Sequence, residues 1–424
     1  MKEFINFLKE AHTTYQTVEI ARTKLTDQGF KELDLSNPKI EKGNKYYIIK
    51  NDGAILAFKV GTKLDTPSIQ IVASHNDSPM LKIKPKGIIT SNGYTKINSE
   101  VYGGLILSTF VDRPLGIAGR VIVSNDGALS SKVVTLNQTQ IIPNLAIHMN
   151  REINNGFSYN PQIDMQAILG LSNTTIKSIL EKELGLTNIV DYDLFLYNKE
   201  EPMLAGSENE LILSPRLDNL ECFYASLKAF IEGENENNIN IWVGFNHEEV
   251  GSSSNNGAAS SFLKDIIDLI ISSLNLESIK PLLYQNTMLI SADNAHAVHP
   301  NHPEKSDPEN AVFMNKGIVI KYNSNLSYTT DALSGSIFKQ LCNDVNIPYQ
   351  EYTNRSDIRG GGTLGCLLLR SVSVISVDIG LAQLAMHSAY ETAGTHDFLM
   401  MQKVLTHFYN RHLNATNPQK ITLK

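Results

Sequence analysis

Two adjacent acids, Glu248 and Glu249, stand in the stretch Phe245-Asn246-His247-Glu248-Glu249-Val250-Gly251-Ser252. They directly follow the apolar run Ile239-Asn240-Ile241-Trp242-Val243-Gly244, which reads as a buried strand. Neighbouring carboxylates at a strand end repel each other, and partial burial raises the pKa of one or both. A metal ion compensates such a pair, and a carboxylate beside a metal can serve as a base. The pattern therefore offers a division of labour, Glu249 for metal and Glu248 for protons. The competing reading is a solvated acidic pair in a loop.

Other groups of the same kind recur at strand ends. The run Ser68-Ile69-Gln70-Ile71-Val72-Ala73 leads into Ser74-His75-Asn76-Asp77-Ser78-Pro79. His75 can bind a metal through one ring nitrogen while Asp77 orients it from behind, or the segment is a surface loop. Asp218 follows the strand Leu211–Ser214 at the start of a helix, as an N-cap or as a carboxylate bridging two metals. Asp293 ends the strand over 287–292, and His387 lies just beyond the strand over 373–380. His148, after Asn144-Leu145-Ala146-Ile147, reads by itself as a structural histidine.

The elements that must position these groups alternate. An amphipathic helix is expected over 3–27 and an Asp-Gly hairpin over 45–60. Helices are expected over 221–231, 258–274, 331–344 and 397–412. Residues 92–206 change character, with short strands over 116–124, 132–136 and 192–197 and a helix over 174–184. They read as an inserted domain between two parts of a catalytic domain, 1–91 and 207–424. The fold class is α/β with helices on both faces of a sheet, where ligands sit at the carboxyl ends of strands. The Gly-rich loop Arg355-Ser356-Asp357-Ile358-Arg359-Gly360-Gly361-Gly362-Thr363 lets backbone approach a ligand closely; no Walker lysine follows it.

Composition narrows the class. The 424 residues carry 37 basic and 44 acidic side chains, a net charge of −7, and no basic run, which argues against a nucleic-acid partner. No stretch approaches the ~20 apolar residues of a membrane-spanning helix, and no signal-peptide core is expected at the N-terminus. Cys222, Cys342 and Cys366 are an odd number at wide spacing, suited to a reducing cytoplasm. The candidate ligands are thus oxygen and nitrogen only, a set for Zn²⁺, Co²⁺ or Mn²⁺. Two ions ~3.5–4 Å apart need a bridging carboxylate. The acids suffice for one bridge, one to complete each shell, and one free base.

Taken together the motifs resemble those of the aspartyl aminopeptidase family, cytosolic metallo-aminopeptidases. The resemblance runs in order through Ser74–Pro79, Glu100-Val101-Tyr102-Gly103-Gly104, Leu145–His148, Arg216-Leu217-Asp218-Asn219, Glu248–Ser252, Ser291–Asn301 and Gln383–Ser388. It implies a two-zinc α/β catalytic domain interrupted by a β-rich dimerisation domain, with dimers assembling into a dodecamer. By the resemblance, His75 and Asp293 bind one metal, Glu249 and His387 the other, and Asp218 bridges them. Glu248 is the general base and acid, and Asp77 supports the site from behind. His148 reaches a neighbouring subunit's active site, and Lys321 faces an acidic substrate side chain. The implied activity is hydrolytic removal of an N-terminal residue, acidic by analogy, from peptides. The rivals are a two-metal exopeptidase or deacylase of different preference and a catalytically silent cage. The chain departs from the family at Asn76, His247 and Ala389-Tyr390, and lacks tryptophans over 102–111. These departures are expected to fall on the substrate pocket.

Overall fold

The computed structural model describes every residue but 66, 359, 418 and 419, and not the side chains of 416 and 417. A nine-stranded mixed sheet forms its centre. In chain order the strands are Lys31–Glu32 (β1), Lys45–Lys50 (β2), Ala54–Val60 (β3), Ser68–His75 (β4), Asn238–Phe245 (β5), Met288–Ala292 (β6), Ile318–Lys321 (β7), Tyr349–Tyr352 (β8) and Ile375–Gly380 (β9). Their spatial order is β1-β2-β3-β5-β4-β6-β9-β7-β8. The four neighbours β5, β4, β6 and β9 run parallel to one another. Their carboxyl ends therefore share one edge.

Side chains on these strands alternate between two apolar layers, as a strand's period of two requires. In β5, Trp242 points into the layer formed by the helices Lys2–Glu10, Thr14–Asp27, Leu217–Glu232 and Thr395–Asn410. Ile239, Ile241, Val243 and Phe245 point the other way, towards the helix Phe262–Ser273. Both faces are covered, so the strand reads as a nearly continuous apolar run.

Two smaller sheets flank the centre. A six-stranded antiparallel sheet is ordered Ala128–Thr135, Leu115–Asn125, Ile189–Asn198, Met80–Ser91, Tyr94–Tyr102, Ile168–Gly170. It packs with the helix Ile176–Leu184 around its own apolar cluster. Its first strand, Met80–Ser91, lies before position 92. Pro85 and Gly87 interrupt the alternation there, and the pairing with Tyr94–Tyr102 shifts register between Ile83 and Ile88, so the strand has no clean period in the sequence. A five-stranded sheet is ordered Met203–Ala205, Leu211–Ser214, Glu391–Gly394, Ala382–Leu384, Ala295–His296; its strands Leu211–Ser214 and Ala382–Leu384 lead to Asp218 and His387, and Ala295–His296 follows Asp293.

The helix expected over 3–27 is two helices, Lys2–Glu10 and Thr14–Asp27. Arg216 accounts for the break: its buried guanidinium donates to the carbonyls of Ala11 at 2.9 Å and Leu8 at 3.2 Å. Those carbonyls are free at a helix end and need donors. Thr13 restarts the helix as its N-cap, accepting from the N–H of Tyr15. Beyond the helix Thr395–Asn410, the chain adds a two-stranded ribbon, Leu413–Asn417 with Lys420–Leu423.

Trp242, the chain's single tryptophan, is fully buried, donates to Ser226 Oγ at 2.9 Å and meets Phe223 edge-on at 5.0 Å. Trp242→Ala is expected to cost about 3–5 kcal/mol, measured by denaturant unfolding followed by far-UV circular dichroism.

Candidate metal centre

Strand geometry brings the site together. His75 is the last residue of β4, Asp293 follows β6, and Glu248 and Glu249 open a short turn just after β5. His387 lies in the turn after Ala382–Leu384, and Asp218 in the first turn of the helix Leu217–Glu232. That helix is kinked at its start, and no backbone N–H among the described residues donates to the Asp218 side chain, whose Oδ1 has no hydrogen-bond partner, so Asp218 does not act as an N-cap. Asp218 has non-helical backbone angles and is buried.

The distances sort these groups into two halves about Asp218. Its Oδ1 lies 3.5 Å from His75 Nε2, which is also 3.4 Å from Asp293 Oδ1. Its Oδ2 lies 3.4 Å from His387 Nε2, which is also 3.4 Å from Glu249 Oε2. The triads His75–Asp218–Asp293 and Asp218–Glu249–His387 each offer ligand atoms within 4.8 Å of one another, as do His75, Glu248 and Glu249. Each half holds one imidazole and one terminal carboxylate, with Asp218 common to both.

The outward ring nitrogens are fixed as well. His75 Nδ1 is 3.1 Å from the Asp77 carbonyl, and His387 Nδ1 is 3.0 Å from the Gly104 carbonyl. A ring N–H engaged by a carbonyl leaves Nε2 as the lone-pair nitrogen facing the site. Asp77 ties the opposite wall together. Its Oδ1 accepts from the N–H of Glu248 at 3.1 Å, and its Oδ2 from the N–H of Glu249 at 3.2 Å and from Tyr102 Oη at 2.7 Å.

The electrostatics call for a cation. Burial works to raise the pKa of Asp218, Glu248 and Glu249. At Asp218 it is outweighed by the imidazoles of His387 and His75 beside it, which hold its pKa below the ordinary value. At Glu249 burial, reinforced by the charge of Asp218, pushes the pKa well up. Glu248 is pushed up to about 7 by burial, with Asp293, Asp77 and Asp218 adding to the rise against the opposing pull of His75. Burial favours a neutral His75, but the hydrogen bonds of Asp218, Asp293 and Asp77 override it and raise its pKa. Asp218 Oδ1 and Glu249 Oε1 are buried atoms with no hydrogen-bond partner. Unpaired carboxylate oxygens inside a protein are costly, and a divalent ion would satisfy both. An all-oxygen-and-nitrogen donor set suits zinc and similar ions.

The candidate ligands, Glu248 and Lys321 line one cavity of ≈ 490 Å³, with His296, Tyr328, Tyr352, Gly361, Gly362 and Met386. Lys321, the last residue of β7, is buried at the cavity wall; its Nζ donates to the Asn294 carbonyl at 2.7 Å and lies 3.6 Å from Asp293 Oδ2. The Gly-rich loop reaches the cavity through Gly361 and Gly362; residue 359 lies outside the described residues. His148 joins none of these groups. It sits in an exposed turn, so the reading of a satisfied structural histidine does not hold within this chain.

The stretch 102–111 reaches the cavity through Gly104, but four other departures from the family pattern fall elsewhere than expected. Asn76, His247, Ala389 and Tyr390 do not line the cavity. Asn76 accepts from Thr14 Oγ1 and donates to the Gly53 carbonyl, joining the second helix and the hairpin to β4. His247 Nδ1 lies 2.7 Å from Ser254 Oγ. Both side chains act behind the edge that carries the ligands. Sequence reasoning missed Tyr102, Tyr328, Tyr352, His296 and Glu391 as site residues. Tyr102 and His296 lay inside quoted motifs; the two lining tyrosines carried no signal.

Comparison with known proteins agrees with this geometry. A family model described as Aminopeptidase I zinc metalloprotease (M18) matches residues 7–409. A probable M18 family aminopeptidase 2 of Clostridium novyi is 43% identical over 424 residues, covering 96% of this chain and 98% of that protein. The Ape4 chain of an Ape4–Nbr1 complex superposes with a TM-score of 0.92 at 32% identity, over 96% of this chain and 85% of that one. The S. cerevisiae mApe1 dodecamer shares the fold, with a TM-score of 0.83 at 24% identity over 96% and 95% of the two chains. The protein belongs to the M18 family of zinc metallo-aminopeptidases, enzymes that remove N-terminal residues from peptides.

Proposed function

We propose that this aminopeptidase removes acidic N-terminal residues, Asp or Glu, and does so with two divalent ions, zinc by preference, and Glu248 as the proton carrier. The observation that carries this reading is Asp218, whose two oxygens each face a different imidazole, at 3.5 Å and 3.4 Å. His75 and Asp293 would hold one ion, Glu249 and His387 the other, and Asp218 both. Co²⁺ or Mn²⁺ fits the same donors.

When bound, the ions supply polarisation of the scissile carbonyl and acidification of a water. Glu248 takes a proton from the attacking water and delivers it to the leaving amine. A carboxylate that lines the cavity beside the ligands without being one of them is free to carry that proton. Asp77 fixes where both glutamates start by accepting from their backbone N–H groups. Glu248→Gln is expected to keep its zinc and its fold but lose about 10²–10⁴-fold in kcat. Metal content and turnover measured on the same preparation test this, and near-normal turnover with full metal would remove Glu248 from the mechanism.

The acidic preference rests on Lys321, the only Lys or Arg among the described residues lining the cavity. A substrate carboxylate beside it would gain a charge-assisted hydrogen bond worth about 1.5–3 kcal/mol. The competing preference for neutral residues draws on one fact: the ammonium already serves Asn294 and Asp293. A panel of Asp-, Glu-, Ala- and Leu-chromophore substrates separates the two. The expected result is a kcat/KM at least about tenfold higher for the acidic pair, abolished in Lys321→Met at unchanged metal content. Best activity on Ala or Leu would establish the neutral preference.

The six-stranded sheet and its loops, residues 92–206 by the sequence reading, are assigned to dimerisation. Leu145, Ile147 and Met149 are 55%, 47% and 75% exposed on either side of His148, and exposed apolar clusters of this kind mark interaction surfaces. His148 would then help to stabilise the oxyanion in a neighbouring copy, and dimers would assemble further, as in the mApe1 dodecamer. His148→Ala should retain metal and assembly mass but lose about 10²-fold in kcat. Sedimentation and turnover together test this; a variant of normal activity would return His148 to a surface role. No nucleic-acid or membrane partner is proposed, and no helix among the described residues is long and apolar enough to cross a bilayer. Cytoplasmic placement is supported by three free cysteines.

A further inference from the structure

A carboxylate outside the ligand set reaches two of its members. Glu391 opens the strand Glu391–Gly394 and is 1% exposed. Its Oε2 accepts from the backbone N–H of Asp218 at 3.0 Å, and its Oε1 from the backbone N–H of His387 at 2.8 Å. Oε1 also lies 3.5 Å from Gln383 Nε2. Across the strand pair, Glu391 stands opposite Ser214, just ahead of the turn that carries Asp218. One side chain thus spans two segments that are far apart in the chain and that meet at one half of the metal centre.

The His387 backbone needs such a hold. Its φ is +68°, in the left-handed region that non-glycine residues rarely adopt. A strained backbone of this kind persists only where its surroundings over-determine it. The N–H bond to Glu391 and the ring bond to the Gly104 carbonyl at 3.0 Å fix the residue from both ends. On the opposite wall Asp77 does the same for Glu248 and Glu249. The two walls are built alike, each by one buried carboxylate gathering two backbone N–H groups.

We propose that Glu391 is a positioning residue of the metal centre: it sets the spacing of Asp218 and His387 by holding both backbones with one carboxylate. The inference rests on the ligand assignment proposed above. Its rival is a purely structural role, in which Glu391 only satisfies two buried N–H groups.

Zinc affinity separates the two roles. Wild type, Glu391→Gln, Glu391→Asp and His387→Ala are stripped of metal and titrated with Zn²⁺ against a chromophoric chelator. Far-UV circular dichroism and thermal midpoints of the metal-free proteins are recorded in parallel. Glutamine keeps the shape but turns an NH₂ group towards one of the two N–H donors, so one bond is lost. Glu391→Gln is expected to bind Zn²⁺ about 10- to 100-fold more weakly, with lower kcat and unchanged KM. Glu391→Asp, which keeps two acceptor oxygens on a shorter stem, should fall between it and wild type. A folded Glu391→Gln with wild-type zinc affinity and kcat, changed only in thermal midpoint, overturns the inference. If Glu391→Gln does not fold, Glu391→Asp decides by the same measure, and wild-type affinity there overturns it. Wild-type affinity in His387→Ala overturns the ligand assignment and this inference with it. Weak binding in His387→Ala beside wild-type binding in Glu391→Gln overturns this inference alone.

Discussion

Concentrated negative charge inside a folded chain is the constraint on which the rest of this structure depends. Asp77, Asp218, Glu248, Glu249 and Asp293 converge at one edge of the central sheet, with the imidazoles of His75 and His387 and the Lys321 ammonium beside them. Carboxylates so placed repel one another and resist desolvation. Unaided, the cluster must take up protons, and the raised pKa values of Glu248 and Glu249 express that demand. Divalent ions meet it while leaving the carboxylates ionised, so the arrangement holds best as a metal centre.

Holding such groups together requires a rigid frame, and the nine-stranded sheet provides it. Four adjacent parallel strands end on the same side, and residues that leave those ends converge. Apolar layers on both faces lock the strands in place. Arg216 adds a pin between the N-terminal helices and the helix that starts at Asp218. Behind the ligands, Asp77 and Glu391 each hold two backbone N–H groups. Support of this kind fixes where each ligand starts, which matters more for a metal centre than the reach of any one side chain.

Within the cavity, charge is arranged by role. The ligand oxygens and Glu248 crowd one wall, and Lys321 stands at another beneath Tyr328, 5.4 Å from its ring centre. Burial disfavours the Lys321 ammonium, but the charges of Asp293, Tyr328 and Asp378 more than offset this and raise its pKa. The lysine therefore keeps its proton and presents a fixed positive charge beside the centre.

The candidate ligands and most of the strands that end on them were legible in the sequence. Apolar runs stopping at His75, Asp293 and Glu248-Glu249 announce strand ends, because a buried strand must be apolar and a ligand must not be. The hairpin, most helices and the change of character near the six-stranded sheet were legible for the same reason of period. Tertiary structure alone decided which oxygen faces which imidazole, since that depends on the order of β5, β4 and β6 in space and on the five-stranded sheet whose strands lead to Asp218 and His387. It also decided that Asp218 is not a helix cap, that the first helix breaks where Arg216 takes its carbonyls, and that Asn76 and His247 serve the scaffold. Glu391 shows the difference most plainly. Its partners are backbone N–H groups, which every residue but proline possesses, so no pattern of side chains could reveal them; only the fold brings those two N–H groups to one carboxylate.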